Sequence, residues 1–243
     1  MKLLAIETAT RLVGCALWDD DGPVAASLLV AGRRHVEVLV PAIDQLCRQA
    51  GMSVADLDAV AVDIGPGLFT GLRVGLATAT TIATARNIPA VGVTSLEALA
   101  HPHRRRQGPL AAVVDARRGE VYWALFEGGG QRQKELSGPA VASPQDAARE
   151  IANVLAVGDG AVRYREIFEA AGSEVAGPGT MWPSPLAVAE LGMERIAGRA
   201  FETGALPAPL YLRQADVRIG WDQVDGRVGG PAASPPAEPK LAR

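Results

Sequence analysis

The feature that most constrains the fold of this chain is a glycine-proline-glycine corner between an apolar run and a helix of small residues. The corner, Gly65-Pro66-Gly67, follows a strand-like run at residues 59–62. Glycine permits positive φ and proline fixes its own φ, so these residues predict a tight turn at the end of a strand. The helix that follows begins with unpaired N–H groups, which could bind an anion or simply mark a close approach between elements.

Known phosphate-binding motifs match this corner poorly. A Walker loop requires a lysine after its last glycine, whereas Gly71 is followed by Leu72 and Arg73. The dinucleotide pattern G-x-G-x-x-G requires a third glycine where Thr70 stands. Direct phosphate binding by the corner is therefore the less favoured interpretation.

Small residues recur every four positions in the helix after the corner. On a helix this spacing aligns them in one column, which lets another backbone approach closely. The spacing alone favours packing on the protein's own sheet over contact with a partner. The column consists of Gly71, Gly75, Ala79 and Ala83.

Length and composition indicate a globular protein with room for two modest domains. The chain has 243 residues, a net charge of −3, 48% hydrophobic and 21% charged residues, which argues against a generally basic, nucleic-acid-coating surface. Cys15 and Cys47 lie in apolar patterns, so we expect no disulfide framework. An acid at Glu7 comes too early for a signal peptide, and no uncharged apolar run approaches the ~20 residues of a membrane span. We expect a soluble cytoplasmic protein without a membrane segment.

The order of elements in the first half recurs in the second. The first half reads β-β-β-α-β-α-β-α, with an amphipathic helix over residues 34–48 and a helix of small residues over 67–86. The run Arg104-Arg105-Arg106 interrupts this order and marks a candidate boundary, either a solvated linker or a contact with an RNA backbone. We expect an N-terminal lobe at 1–105, a C-terminal lobe at 106–220 and a disordered tail at 221–243, with a last helix over residues 186–201.

Two lobes of this type suggest an α/β protein with the actin/Hsp70-like ATPase fold, built from ribonuclease H-like lobes of βββαβα type. Its nucleotide would lie between a turn in each lobe and a glycine-rich strand end. Here the first turn, at residues 7–10, lacks glycine. In the second turn, at residues 115–119, Arg117 and Arg118 stand where the backbone would approach phosphate, so the site looks vestigial. Its candidate residues are Glu7, Thr8, Thr10, Asp115, Gly158 and Gly160.

Motifs for catalysis or metal binding are missing from the sequence. A helical metal pair needs ligands four residues apart, but Leu39 stands four residues after His35. The other histidines, His101 and His103, flank a proline, and no serine lies in a G-x-S-x-G elbow. We therefore expect no catalytic residue, no metal site and no cofactor.

Several of these segments together resemble the TsaB (YeaZ) family of the bacterial threonylcarbamoyl-adenosine tRNA modification pathway. The resemblance covers residues 2–217, although Glu7 stands where that family usually has aspartate. Its motifs are Leu3 to Thr10, Arg34-His35 with Leu39 and Pro41, Asp63 to Gly75, Asp115 to Tyr122, and Pro209 to Arg213.

The resemblance implies a non-catalytic scaffold or activator of the actin/Hsp70-like superfamily. Its catalytic relative TsaD transfers the threonylcarbamoyl group to N6 of adenosine 37 in ANN-decoding tRNAs. The resemblance also implies that the chain forms a heterodimer with TsaD through the helices at 34–48 and 67–86, and a homodimer in isolation. It further implies a ternary complex with the ATPase TsaE and a functional link to TsaC. Contact with tRNA would occur through the complex. The expected partner interface is Val36, Leu39, Val40, Ile43, Gly71, Gly75, Ala79 and Ala83. In this interpretation, Gly75→Leu or Ala79→Leu weakens association with TsaD and leaves the monomer folded.

Two other functions stay open at this point. An actin-like small-molecule kinase or ATP-binding protein would require a better-equipped first turn and would bind Mg-ATP. A glycoprotease-like activity would require a metal or a nucleophile, for which the sequence offers no motif.

Overall fold

Two five-stranded sheets, one from each half of the chain, organise the protein. The computed structural model describes residues 1–198 and 206–213. The expected end of the last helix and the expected tail at 221–243 lie outside the described residues, apart from the helix up to residue 197. No helix among the described residues combines the length and apolar character that a membrane crossing requires.

The first sheet has the strand order β3-β2-β1-β4-β5. Strand β1 pairs antiparallel with β2 and parallel with β4, which sets Leu3 beside Ala59 and Ile6 beside Val62. Strands β1 and β4 are buried over their whole length, as expected for strands covered on both faces. The strands are β1 (Leu3–Glu7), β2 (Leu12–Asp19), β3 (Gly22–Val30), β4 (Ala59–Asp63) and β5 (Ala90–Val93).

The second sheet repeats this arrangement with the order β10-β9-β6-β7-β8. Three antiparallel strands are again followed by two parallel ones, so the expected repetition of βββαβα order is confirmed. The sequence did not locate β8 or β10. The strands are β6 (Pro109–Arg117), β7 (Glu120–Glu127), β8 (Lys134–Ala142), β9 (Leu155–Val157) and β10 (Glu174–Val175).

Helices cover both faces of the first sheet. Helices α1 (His35–Gln49) and α2 (Phe69–Arg86) share one core cluster with strands β1, β2 and β4. After α3 (Ser95–Ala100), the chain enters the second sheet, and α7 (Pro185–Ala197) then returns to pack on the opposite face of the first. The lobe boundary at residue 105 stays a prediction, to which the structure adds that α7 belongs spatially with the first sheet.

Short helices complete the second half around a core that contains Phe168. These are α4 (Pro144–Glu150), α5 (Asp159–Arg163) and α6 (Arg165–Ala170). Single 3-10 turns lie at Val54–Asp56, His101–His103 and Pro178–Thr180. The expected glycine-proline-glycine corner is present between β4 and α2, with Gly65 at a φ of +95°.

Candidate functional site

Two carboxyl groups lie side by side in the interior of the first lobe, Glu7 at the end of β1 and Asp63 at the end of β4. Both side chains are fully buried. Asp63 Oδ1 accepts hydrogen bonds from the Gly65 N–H at 2.7 Å and the Ser95 hydroxyl at 2.7 Å. Glu7 Oε1 accepts from the Thr10 hydroxyl at 3.1 Å. Asp63 therefore ties the glycine-proline-glycine corner to the start of α3.

Burial raises the pKa values of both carboxyl groups in this pair. Burial raises the pKa of Glu7 well above its ordinary value, and the neighbouring Asp63 charge raises it further. Burial also raises the pKa of Asp63, against hydrogen bonds that favour its ionised form. Glu7 Oε2 and Asp63 Oδ2 have no hydrogen-bond partner among the described residues, and a proton shared between the two carboxyl groups would satisfy both. The fully buried Glu7 is not part of the lining of the cleft between the lobes.

The first turn fastens β1 to both helices of the lobe. The hydroxyl of the fully buried Thr8 donates to Gly71 O at 2.9 Å, and the Thr10 carbonyl oxygen lies 2.8 Å from His35 Nε2. A Cβ on Gly71 would lie 2.1 Å from Thr8 O, and one on Gly75 would lie 2.2 Å from Thr8 Oγ1. These glycines are present because α2 lies directly against the first turn.

Six of the eight expected interface positions are buried in the structure, and the interface itself stays a prediction. The two glycines and the four larger residues are buried within the lobe, so the role that the structure shows for them is internal packing. Gly75→Leu would drive a side chain into Thr8, so the expectation of a folded monomer is not compatible with this packing. The six are Leu39, Ile43, Gly71, Gly75, Ala79 and Ala83, whereas Val36 and Val40 are 66% and 59% exposed.

The sides of α1 and α2 that point away from the sheet form an exposed face, which we call the outer helix face. Val36 and Val40 supply its apolar part on α1. Ala77 and Thr81 are exposed one turn apart on α2, after the exposed Arg73 one turn earlier, so this side of α2 carries small residues in its middle part. An apolar stripe on one helix beside a second helix of small side chains permits close packing of another element.

The second lobe contributes Asp115, Gly158 and Gly160 to the expected vestigial site. The Asp115 carboxylate contacts Arg117 Nη1 at 3.0 Å and Arg163 Nη1 at 3.5 Å. A Cβ on Gly158 would lie 2.2 Å from Val113 O, and one on Gly160 would lie 2.9 Å from the carbonyl carbon of Val114. Both glycines therefore permit α5 to pack on β6, which is a structural reason for their presence.

A cleft of about 830 Å³ lies between the turns of the two lobes. It brings together Arg11 of the first turn, Arg33 before α1, Arg117 of the second turn and the start of α2. None of the six expected nucleotide-site residues lines it, and neither does any carboxylate of the described residues. We call it the arginine cleft. Its lining is Arg11, Gly32, Arg33, His35, Leu68, Phe69, Thr70, Gly71 and Arg117.

An exposed aromatic pair borders the arginine cleft. Phe69, which lines the cleft, is 41% exposed, and its ring centroid lies 5.5 Å from that of Tyr211, which is 46% exposed. The Arg73 guanidinium lies 3.8 Å over the Phe69 ring. Exposed aromatic rings beside arginines are a common arrangement in sites that bind unstacked bases.

The arginine run between the lobes is partly engaged in ion pairs. Arg104 Nη2 lies 2.5 Å from Glu190 Oε1, and Arg106 Nη2 lies 3.3 Å from Glu174 Oε2. His101 Nε2 lies 3.0 Å from Glu190 Oε2, and burial lowers the pKa of His101. Ligand atoms of His101, Glu190 and Glu194 lie within 4.8 Å of one another. Glu194 is itself paired with Arg132 at 2.9 Å, so this group is an ion-pair network that joins α7 to the second lobe.

Sequence reasoning did not find the arginine cleft, the buried carboxyl pair or the aromatic pair. Each joins residues that are far apart in the chain, such as Arg11 with Arg117 and Phe69 with Tyr211. One signal was available: Glu7 and Asp63 each end an apolar run in the sequence. Parallel strands bring such ends to the same edge of a sheet.

Comparisons of this chain with a family model and with curated relatives point to the same family. The model of the family "TsaD: tRNA N6-adenosine threonylcarbamoyltransferase" matches residues 29–174. The tRNA threonylcarbamoyladenosine biosynthesis protein TsaB of Escherichia coli K12 is 38% identical over 129 residues, 52% of this chain and 55% of that protein. The chain thus spans about half the length of this curated relative. TsaB of Haemophilus influenzae is 28% identical over 242 residues, 93% of this chain and 98% of that protein.

Solved structures support the same assignment. YeaZ from Pseudomonas aeruginosa superposes with a TM-score of 0.77 at 26% identity, covering 87% of this chain and 99% of that chain. The expected α/β fold with two actin/Hsp70-like lobes is confirmed by this match and by the repeated sheet topology. The chain therefore belongs to the tRNA N6-adenosine threonylcarbamoyltransferase (TsaD) family, and the relatives that it resembles over its length are the TsaB (YeaZ) proteins.

Proposed function

We propose that this chain is a non-catalytic subunit of the complex that forms N6-threonylcarbamoyladenosine at position 37 of ANN-decoding tRNAs. It acts as a scaffold or activator by dimerising with TsaD through the outer helix face. The observation that carries this proposal is the exposed apolar stripe of Val36 and Val40. Apolar surface of this kind, set on a rigid helix over a packed core, favours association with another protein.

The expected docking helices are retained in this proposal, and the contact residues change. Contact moves from the buried column of α2 to Val36 and Val40 on α1 and to Ala77 and Thr81 on α2. Small side chains on α2 let a partner helix lie close to the backbone, while the valines supply apolar area. The same face would form the homodimer of the isolated chain, so homodimer and heterodimer would exclude each other.

A scaffold role is supported by the chemistry of the two turns. The Glu7 carboxyl is buried beside Asp63, which raises its pKa, and Asp115 is paired with two arginines. Neither carboxylate is free to hold a metal ion on a phosphate. In this proposal TsaD performs the transfer, TsaE joins the pair as its ATPase, TsaC supplies threonylcarbamoyl-AMP, and the complex works in the cytoplasm. An ATP-binding or kinase function has less support, and titration with Mg-ATP distinguishes it.

The proposal is tested by titrating TsaD of the same organism with V36E/V40E in a calorimeter. Burial of a valine contributes ~1.5 kcal/mol or more, so placing two charges in the interface is expected to weaken association at least about 100-fold. The unfolding temperature of the monomer should stay unchanged because both side chains are exposed.

A matched control carries the same change at two exposed apolar positions of β3. Val24 and Leu28 are 41% and 55% exposed, and V24E/L28E is expected to bind TsaD like the parent. Equal affinity of V36E/V40E and the parent would refute the outer helix face as the docking surface. Failure of the parent itself to bind TsaD would refute the proposed function.

A further inference from the structure

The arginine cleft carries positive charge that the protein does not neutralise internally. Within residues 1–198 and 206–213, the side chains of Arg11 and Arg33 make no ion pair or hydrogen bond, and both residues are exposed. Arg117 is partly neutralised by Asp115. The chain as a whole has a net charge of −3, so this cationic concentration is local. Such a focus of charge attracts an anionic partner.

The start of α2 adds polar hydrogens to the same cleft. Helix α2 has no side-chain cap, and its first intrahelical acceptor, Leu68 O, receives the N–H of Leu72. The preceding N–H groups of Phe69, Thr70 and Gly71 therefore have no helical partner, and these three residues line the cleft. Unpaired N–H groups at a helix start, next to two free guanidinium groups, suit a phosphate group.

The aromatic pair points to a ligand larger than a phosphate. Phe69 belongs both to the cleft lining and to the exposed pair with Tyr211, and Arg73 stacks on it. Aromatic and guanidinium planes bind unstacked bases, and arginines beside them bind the connecting phosphates. The cleft volume of about 830 Å³ also exceeds what one phosphate fills.

We propose that the arginine cleft and the Phe69–Tyr211 pair bind a single-stranded segment of RNA. Phosphates bind Arg11, Arg33 and the start of α2, and a base stacks on the Phe69–Tyr211 pair. The inference rests on the proposed function, in which a tRNA is the substrate of the complex. It adds that this chain itself contacts the RNA, through residues other than Val36 and Val40.

The arginine run at 104–106, the other candidate for RNA contact, has less free charge. Arg104 is 16% exposed and bound to Glu190, and Arg106 is bound to Glu174. Of the three, Arg105 alone remains exposed without such a pair among the described residues. One unpaired arginine provides a weaker phosphate site than the two at the cleft.

The test is fluorescence anisotropy of the full chain with a labelled tRNA anticodon stem–loop at several salt concentrations. R11E/R33E is expected to weaken binding at least about tenfold and to reduce the slope of log K against log salt by about 1.4, two single-strand contacts of ~0.7 each. F69A is expected to weaken binding about fivefold or more with the slope unchanged, because stacking carries no counterion release.

Three controls distinguish the effect of the two cleft arginines from a general change of charge, from loss of folding and from binding of a small phosphate ligand. R105E/R149E makes the same charge change on exposed arginines outside the cleft, and R11K/R33K keeps the charge; both are expected to retain the parental salt slope. Circular dichroism reports whether R11E/R33E is folded. Inorganic phosphate and Mg-ATP are added as competitors. Neither is expected to displace the RNA when the competitor is present at the concentration at which the RNA binds.

The inference is overturned if the parent shows no RNA binding, if R105E/R149E loses as much as R11E/R33E, or if Mg-ATP displaces the RNA stoichiometrically. The last result would assign the cleft to a small phosphate ligand. Failure of the proposed function can be distinguished from failure of this inference, because the first is measured by titration with TsaD and the second by RNA binding. R11E/R33E is expected to bind TsaD like the parent even when its RNA binding is lost.

Discussion

Replacing Glu7 by glutamine tests the buried proton that separates this first turn from a working metal site. In the folded protein, burial beside Asp63 raises the pKa of Glu7 well above its ordinary value of about 4.3. The folded state therefore holds a proton that the unfolded chain releases above that pH. A glutamine at the same place keeps an N–H donor for Asp63 and cannot ionise.

The sign and size of the effect follow from proton linkage. The unfolded state binds fewer protons than the folded state between the two pKa values, so the stability of the parent decreases as pH rises through this window. The decrease for one proton is about 1.4 kcal/mol per pH unit. E7Q lacks this term, so its stability relative to the parent should rise by about the same amount for each unit up to the folded pKa of Glu7 and level off above it. In a chain of this size that corresponds to a difference in unfolding temperature of about 3–6 °C per unit.

The measurement is urea unfolding of the parent, E7Q and E150Q at pH values from five to eight, followed by tryptophan fluorescence. Glu150 is exposed on α4, so E150Q removes a carboxylate without removing the buried proton. Subtracting the parent at each pH cancels the other titrating groups, including His101 and His103, whose pKa values burial lowers. A difference between E7Q and the parent that stays constant over this range would refute the shared proton and leave two buried carboxylates ionised.

Two further predictions concern the packing of the first lobe. G75A should destabilise the protein by ~1–2 kcal/mol despite the better helix propensity of alanine, because its Cβ would lie 2.2 Å from Thr8 Oγ1 and displace the bond from Thr8 to Gly71. Chemical denaturation checks this against G179A, where a Cβ meets no atom within 4 Å; equal stability of the two variants would contradict it. Cys15 and Cys47 should resist an aromatic disulfide reagent in the folded protein, because burial raises both thiol pKa values, that of Cys15 to about 12. Labelling at the rate of the urea-unfolded chain would show that this core opens freely.

Local signals in the sequence were sufficient for most of the first lobe. The capping pairs Ser53 with Asp56 and Thr94 with Glu97 are local sequence patterns that form in the structure, and the hydrophobic period of α1 places Leu39 and Ile43 in the core. These features depend on residues a few positions apart, which is the range over which sequence patterns are informative. The corner at Gly65 likewise follows from the conformations that its residues permit.

Patterns with two physical explanations could not be assigned from the sequence. A column of small residues permits close approach to any neighbour, and the structure places Thr8 opposite Gly71 and Gly75. Strand β8 was not located because it carries polar residues and Gly138-Pro139, which are unusual in a strand and tolerated at a sheet edge. The position of α7 on the first sheet depends on contacts between residues far apart in the chain.

The central claim is that this chain contributes a docking surface to an enzyme complex rather than a reaction of its own. The most direct measurement is formation of N6-threonylcarbamoyladenosine on an ANN-decoding tRNA by TsaD, TsaC and TsaE of the same organism, with and without this chain. We expect modification to depend on the added chain, V24E/L28E to restore it, and V36E/V40E to restore it only at much higher concentration. Full modification without the chain, or equal rates with V36E/V40E and the parent, would contradict the claim.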